Sequence, residues 1–183
     1  MIVRPLNFTS ATATLGGDEA PPAEPPAWRP ALDALMGSRH GGRVHELLDQ
    51  LRDLDRRHPN VAEINYQLAW TYEVLERASD ALPLYEKAIA LGLPENELCG
   101  ALLGLGNTLR LTGEAARSVD VLRSATAQFP ENRELDAFLA LSLHALGQHA
   151  EALRTLIDVL CETTEDTGIT AYQRALRHHA SRL

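Results

Sequence analysis

The side chains in this sequence best suited to chemistry are its histidines and two cysteines. His144 and His149 stand five residues apart across Gly147. A zinc motif on one helix needs two histidines four apart, so the pair is expected to be exposed and unliganded. His178 and His179 are neighbours on a helical stretch and diverge by about 100°. Cys99 and Cys161 have no C-x-x-C partner and read as small apolar residues in helices. A nucleophilic dyad is conceivable only as Cys161 with His149 or Cys99 with His144, and no spacing favours either. The stretch GLGNT, residues 104–108, lacks the lysine of a phosphate loop and lies inside an expected helix, where its glycines serve close packing. The expectation is a protein that is not an enzyme, with no catalytic residue, no metal and no cofactor.

The elements that must carry these residues are helices. From residue 30 onward, apolar residues recur at helical spacing between short breaks. Those breaks hold Gly41-Gly42, Pro59, Pro94, Gly113, Pro130, Gly147 and Gly168. Helices are expected over 30–39, 43–57, 61–76, 78–91, 95–111, 114–128, 131–146, 149–161 and 168–181. Pro83 makes the start of the fourth least secure, because proline is tolerated only near a first helical turn. No stretch alternates with period two long enough for a strand, so the fold is all-α.

Bulk composition narrows the partners. The 183 residues allow about one ordinary domain, and 45% hydrophobic residues suffice for a core. Aromatics are only 5%, so alanine and leucine must do the packing. A formal charge of −8 argues against nucleic acid, where lysine and arginine must neutralise phosphates. Lys87 is the only lysine, so recurring lysine contacts to a ligand are unavailable. No run approaches the roughly 18 apolar residues of a membrane span, and the N-terminus lacks the apolar core of a signal peptide. A cytoplasmic protein with no membrane partner is expected.

The helices repeat. Gly106 and Ala140, Ser118 and Ala152, and Gly113 and Gly147 are each 34 residues apart, while Ala69 and Gly106 are 37 apart. In the unit from Cys99, large Leu102, Leu105, Leu109 and Leu122 alternate with small Gly106, Ser118 and Ala125 before Pro130. The unit from Ala62 supplies Leu68, Tyr72 and Tyr85 with Ala69, Ala81 and Ala88. The unit from Arg133 supplies Leu139, Leu143 and Leu156 with Ala140 and Ala152. This pattern resembles the tetratricopeptide repeat, which has large residues at repeat positions 4, 7, 11 and 24, small ones at 8, 20 and 27, and proline near 32. Asn65 and Asp136 depart from it at position 4, and Val159 and Thr164 depart late in the last unit. The stretch 28–61 keeps Gly42 and Pro59 but places Leu47 and Leu54 at small positions, as a degenerate first repeat.

The resemblance implies a right-handed α-α superhelix. It would have units at about 28–61 (degenerate), 62–98, 99–132 and 133–166, with a capping helix over 167–183 whose packed side carries Tyr172, Ala175, Leu176 and Ala180. It also implies a concave groove that binds a peptide or helix of another protein, possibly a second copy. Positions 5, 9 and 12 of the leading helices, with neighbours, line that groove: Glu63, Tyr66, Trp70, Glu73 and Val74, then Leu103, Asn107, Arg110 and Leu111, then Glu134, Ala137, Leu141 and His144. Phe138 borders it. The best-known ligand mode of such repeats grips a C-terminal carboxylate with Lys, Asn and Arg. The matching residues here are Tyr66, Trp70, Gly104, Glu134 and Phe138, which do not fit, so an apolar or amphipathic segment with some positive charge suits better.

Residues 1–29 form a separate Thr- and Pro-rich arm, extended where Pro21, Pro22, Pro25, Pro26 and Pro30 cluster. Its apolar Ile2, Val3, Leu6 and Phe8 leave two states open: docked on the surface around Tyr66 and Trp70, or a free tail.

Overall fold

The structure is a computed structural model that describes residues 25–39 and 42–183. The arm and its docking residues Ile2, Val3, Leu6 and Phe8 lie outside the described residues. Among those described, nine helices follow in order: α1 (Arg29–Ser38), α2 (Val44–Arg57), α3 (Ala62–Val74), α4 (Ala78–Leu91), α5 (Glu95–Leu111), α6 (Ala115–Gln128), α7 (Arg133–Ala145), α8 (His149–Thr163) and α9 (Thr167–Ala180). Their ends fall within about two residues of the expected ones. Pro83 lies beyond the first turn of α4, yet the helix still begins at Ala78. Pro83 and Ser79 are both exposed, so the carbonyl that loses its N–H partner lies on the solvent side.

Consecutive helices pack as pairs, and the leading helices α3, α5 and α7 also touch one another, giving a tetratricopeptide-like superhelix. The pairs turn the same way each time. The backbone N–H groups of Arg77, Glu114 and Gln148 donate to the carbonyls of Tyr72, Leu109 and Leu143 at 2.8–2.9 Å, closing three equivalent Schellman turns. Each turn needs a residue with positive φ. Gly113 and Gly147 supply it at +90° and +86°, whereas the same position in the first clear unit is Glu76, at +57°.

Small residues set the distance between helices. Ala69, Gly106 and Ala140 are buried, as are Ala81, Ser118 and Ala152. A Cβ on Gly106 would meet Leu122 Cγ at 2.5 Å, so α5 and α6 sit as close as a missing methyl allows. The Ser118 hydroxyl lies within hydrogen-bonding reach of the Gly106 carbonyl (2.6 Å) and the Ser142 hydroxyl (2.7 Å), tying α5, α6 and α7 through one buried group. Asn65, where the repeat pattern prefers tryptophan, is buried and donates from its amide to the Val61 carbonyl at 2.7 Å. In the degenerate first unit Leu47 and Leu54 are buried at small positions. The contact between α1 and α2 is slighter than between the other consecutive helices.

The cap differs from expectation. Tyr172 is 69% exposed and Ala175 is also exposed. α9 instead packs through Gln173, Leu176 and Ala180, with Gln173 donating to the Cys161 carbonyl at 2.7 Å and Arg177 paired with Asp158 and Glu162 at 3.4 and 3.7 Å. The reason is its position. α5 lies over α3 and α7 lies over α5, but α9 rests on α8 and hardly touches α7. Only half of its apolar stripe finds a neighbour.

Candidate functional site

Gly100 and Gly104 stand one helical turn apart on α5, and their missing side chains let aromatic rings of α3 and α4 lie against the helix. A Cβ on Gly100 would meet the Tyr66 hydroxyl at 2.5 Å, and one on Gly104 would run into the Tyr85 ring. The two rings lie 6.2 Å apart, tilted by 49°. With Trp70, Glu73, Val74 and Leu103 they enclose an open hollow of about 340 Å³ on the leading-helix face. Arg39, at the end of α1, covers the Trp70 ring at 5.1 Å, a cation–π contact that holds one side of the indole.

Glu73 organises the polar side of this hollow. One carboxylate oxygen accepts from the Tyr85 hydroxyl and the other from the Asn107 amide, both at 2.6 Å. Arg110 donates to the Asn107 carbonyl oxygen at 2.7 Å, so a hydrogen-bonded chain runs from α4 through α3 to α5. Burial, and then the Glu73 charge, hold the Tyr85 phenol far above the ordinary range. The Tyr66 phenol is raised by burial first and by Glu97 next, with Arg39 opposing. Glu97 itself is pushed up by burial and by Glu63, and its Oε2 is buried with no hydrogen-bond partner. Arg29 approaches Glu63 at 3.7 Å and offsets part of the carboxylate charge beside Glu97.

The expected groove residues therefore divide. Tyr66, Trp70, Glu73, Leu103, Asn107 and Arg110 come together around the first hollow. Phe138 instead is half-buried and packs against the buried cluster formed by α6, α7 and α8. Leu141 and His144 line a second hollow with His149, Leu153 and Leu156. Sequence reasoning treated Tyr85 as core only and missed Gly100. The glycine spacing of four on α5 was the signal that aromatic side chains must fill the space.

The histidines also hold a surprise. His144 Nδ1 and His149 Nδ1 lie 3.1 Å apart, with ring centroids at 4.6 Å. The helical-spacing test missed this because the two residues belong to different helices, α7 and α8, folded together at Gly147. Cys99 is raised above the usual thiol range by burial and by Glu134, which favours the thiol over the nucleophilic thiolate. Among the described residues no helix is long and apolar enough to cross a membrane.

Residues 62–183 match the tetratrico peptide repeat family. The chain belongs to the tetratricopeptide repeat family. Solved structures agree on the fold. MamA from Desulfovibrio magneticus RS-1 is 17% identical with a TM-score of 0.63, over 85% of this chain and 89% of that one. YrrB, described as a tetratricopeptide repeat protein with an unusual peptide-binding site, is 16% identical with a TM-score of 0.56, over 86% and 99%. A putative kinesin light chain from Podosopora anserina is 16% identical at 0.60, over 84% and 85%. No curated protein matches the sequence. Tetratricopeptide repeats are generally protein-interaction modules and usually non-catalytic.

Proposed function

We propose that this tetratricopeptide repeat protein is an adaptor that holds a peptide or short helix of a partner protein in the hollow between Tyr66, Trp70 and Leu103. The supporting observation is the open hollow of about 340 Å³ lined by Tyr66, Trp70, Tyr85 and Leu103, whose tyrosines lie against α5 at Gly100 and Gly104. A large ring that is only half-buried beside a concavity is a common interaction anchor. The Glu73–Asn107–Arg110 chain fixes the polar wall before any ligand arrives, so little ordering cost remains for binding. A net charge of −8 favours a segment that carries an apolar side chain flanked by Lys or Arg.

Peptide display against the immobilised protein tests the reading, with a variant carrying Tyr66→Ala, Trp70→Ala and Arg110→Ala as counter-selection. Enrichment of apolar segments with flanking basic residues, lost in the variant while helix content is kept, is the expected result. Equal enrichment on both proteins would move the site elsewhere. Gly100→Ala is a finer probe: its methyl displaces the Tyr66 hydroxyl and should weaken capture with little change in stability.

A further inference from the structure

The second hollow points to chemistry that the first does not use. His144 ends α7 and His149 begins α8, and the turn between them is closed by the Gln148 N–H donating to the Leu143 carbonyl at 2.8 Å. The backbone thus fixes both imidazoles at one corner of the molecule. Their Nδ1 atoms face each other at 3.1 Å. Two imidazole nitrogens bound to one zinc ion at about 2.0–2.1 Å and near the tetrahedral angle are roughly 3.3 Å apart. The observed separation lies within a few tenths of an ångström of that bite. Imidazole nitrogen suits zinc, nickel and copper.

Two imidazoles alone do not close such a site. Among the described residues no group of three or more His, Cys, Asp or Glu is placed to hold a metal. A closed zinc site takes four ligands. The surface next to the pair offers a place for a second copy to supply the other two. Leu141, Leu153 and Leu156 are 45%, 46% and 39% exposed and line an apolar hollow of about 320 Å³ beside the histidines. Leu156 is out of place in this state, because its counterparts Tyr85 and Leu122 in the preceding repeats are almost fully buried. Each of those precedes a leading helix stacked on the one before, whereas α9 leaves α7 uncovered.

The lining of this hollow contains no Asp, Glu, Lys or Arg. For a chain of net charge −8, that makes it a face on which two copies meet without opposing like charges. A twofold axis through it would bring one histidine pair to the other. We propose that His144 and His149 form half of a divalent transition-metal site, completed by the same pair of a second copy, with the leucines buried around it. This does not depend on the peptide-groove reading, which rests on the first hollow.

Zinc(II) titration of the full chain, followed by calorimetry and sedimentation, tests the proposal. The expected result is one zinc per two chains and a doubling of mass, reversed by EDTA. His144→Ala or His149→Ala should each weaken zinc binding by about tenfold or more and abolish the zinc-dependent dimer. Leu156→Glu should block the doubling by placing a carboxylate against its copy. A double variant at His178 and His179, whose rings also touch, at a centroid distance of 5.7 Å, should behave as the unaltered chain. Zinc bound one per monomer, zinc binding that survives loss of both His144 and His149, or a mass that zinc does not change would each overturn it. Circular dichroism of every variant separates these outcomes from misfolding.

Discussion

Glu76 has the backbone of a glycine. It lies at φ +57° in a turn whose counterparts, Gly113 and Gly147, are glycines, and a left-handed conformation costs an ordinary residue about 1–2 kcal/mol. Glu76→Gly should therefore stabilise the fold by about 0.5–1 kcal/mol, after allowance for glycine's greater freedom when unfolded. Gly113→Ala should lose a similar amount, and thermal melts of the two variants check both signs. Tyr85 gives a second residue-scale prediction. An unfolded tyrosine ionises near pH 10, whereas burial and Glu73 make the folded Tyr85 keep its proton to higher pH. Below about pH 10 both states are protonated and this contribution is level. Above it the unfolded state sheds its proton first, so stability falls as pH rises. Urea midpoints measured across that range should fall for the natural chain. The fall should be shallower in Tyr85→Phe, with the remainder coming from Tyr66 and Cys99, which are raised as well.

Packing between helices turns on single methyl groups. Gly106→Ala improves intrinsic helix propensity by about 1 kcal/mol, yet its Cβ would press on Leu122 at 2.5 Å. Overpacking should win, giving a net loss of about 1–3 kcal/mol in denaturant unfolding. Leu122→Ala opens a cavity instead and should cost about 2–5 kcal/mol. Leu156→Ala, at the same repeat position but 39% exposed, should cost clearly less. That contrast marks how far the sequence could be read. The Gly and Pro breaks placed the helices, and the 34-residue spacing with its small residues placed most of the packed pairs, since a solenoid repeats the same local problem. The burial of Leu156 and the packed side of α9 were misjudged, because both depend on where a terminal helix settles and no following repeat fixes it. Part of the first hollow was visible as Tyr66, Trp70 and Glu73. The contribution of Tyr85 was hidden, because a residue in a core position of one repeat also walls the surface of the next. The histidine contact was hidden for a related reason: it forms between helices, where spacing within one helix has no bearing.

Across the whole molecule, stability should decline toward both ends. α1 makes only a slight contact with α2, and α9 rests on one helix. In a stack stabilised by nearest neighbours, the terminal units open first. Amide hydrogen exchange should accordingly be fastest in α1 and α9 and slowest from α3 to α6; uniform protection would contradict the stacking described. The interior is also divided. One buried cluster takes in α1 to α4 with Ala101, Leu105 and Leu109 of α5, and the other gathers α6 to α8 around Leu122, Leu135 and Leu143. The two meet along α5, the longest helix at 17 residues, whose glycines face α3 and α4 on one side and α6 on the other. A load pulling the two ends of the solenoid apart would find its parting line there. The chain should lengthen in two jumps rather than one, and a partner seated in the Tyr66–Leu103 hollow would brace the half on the α3 side alone.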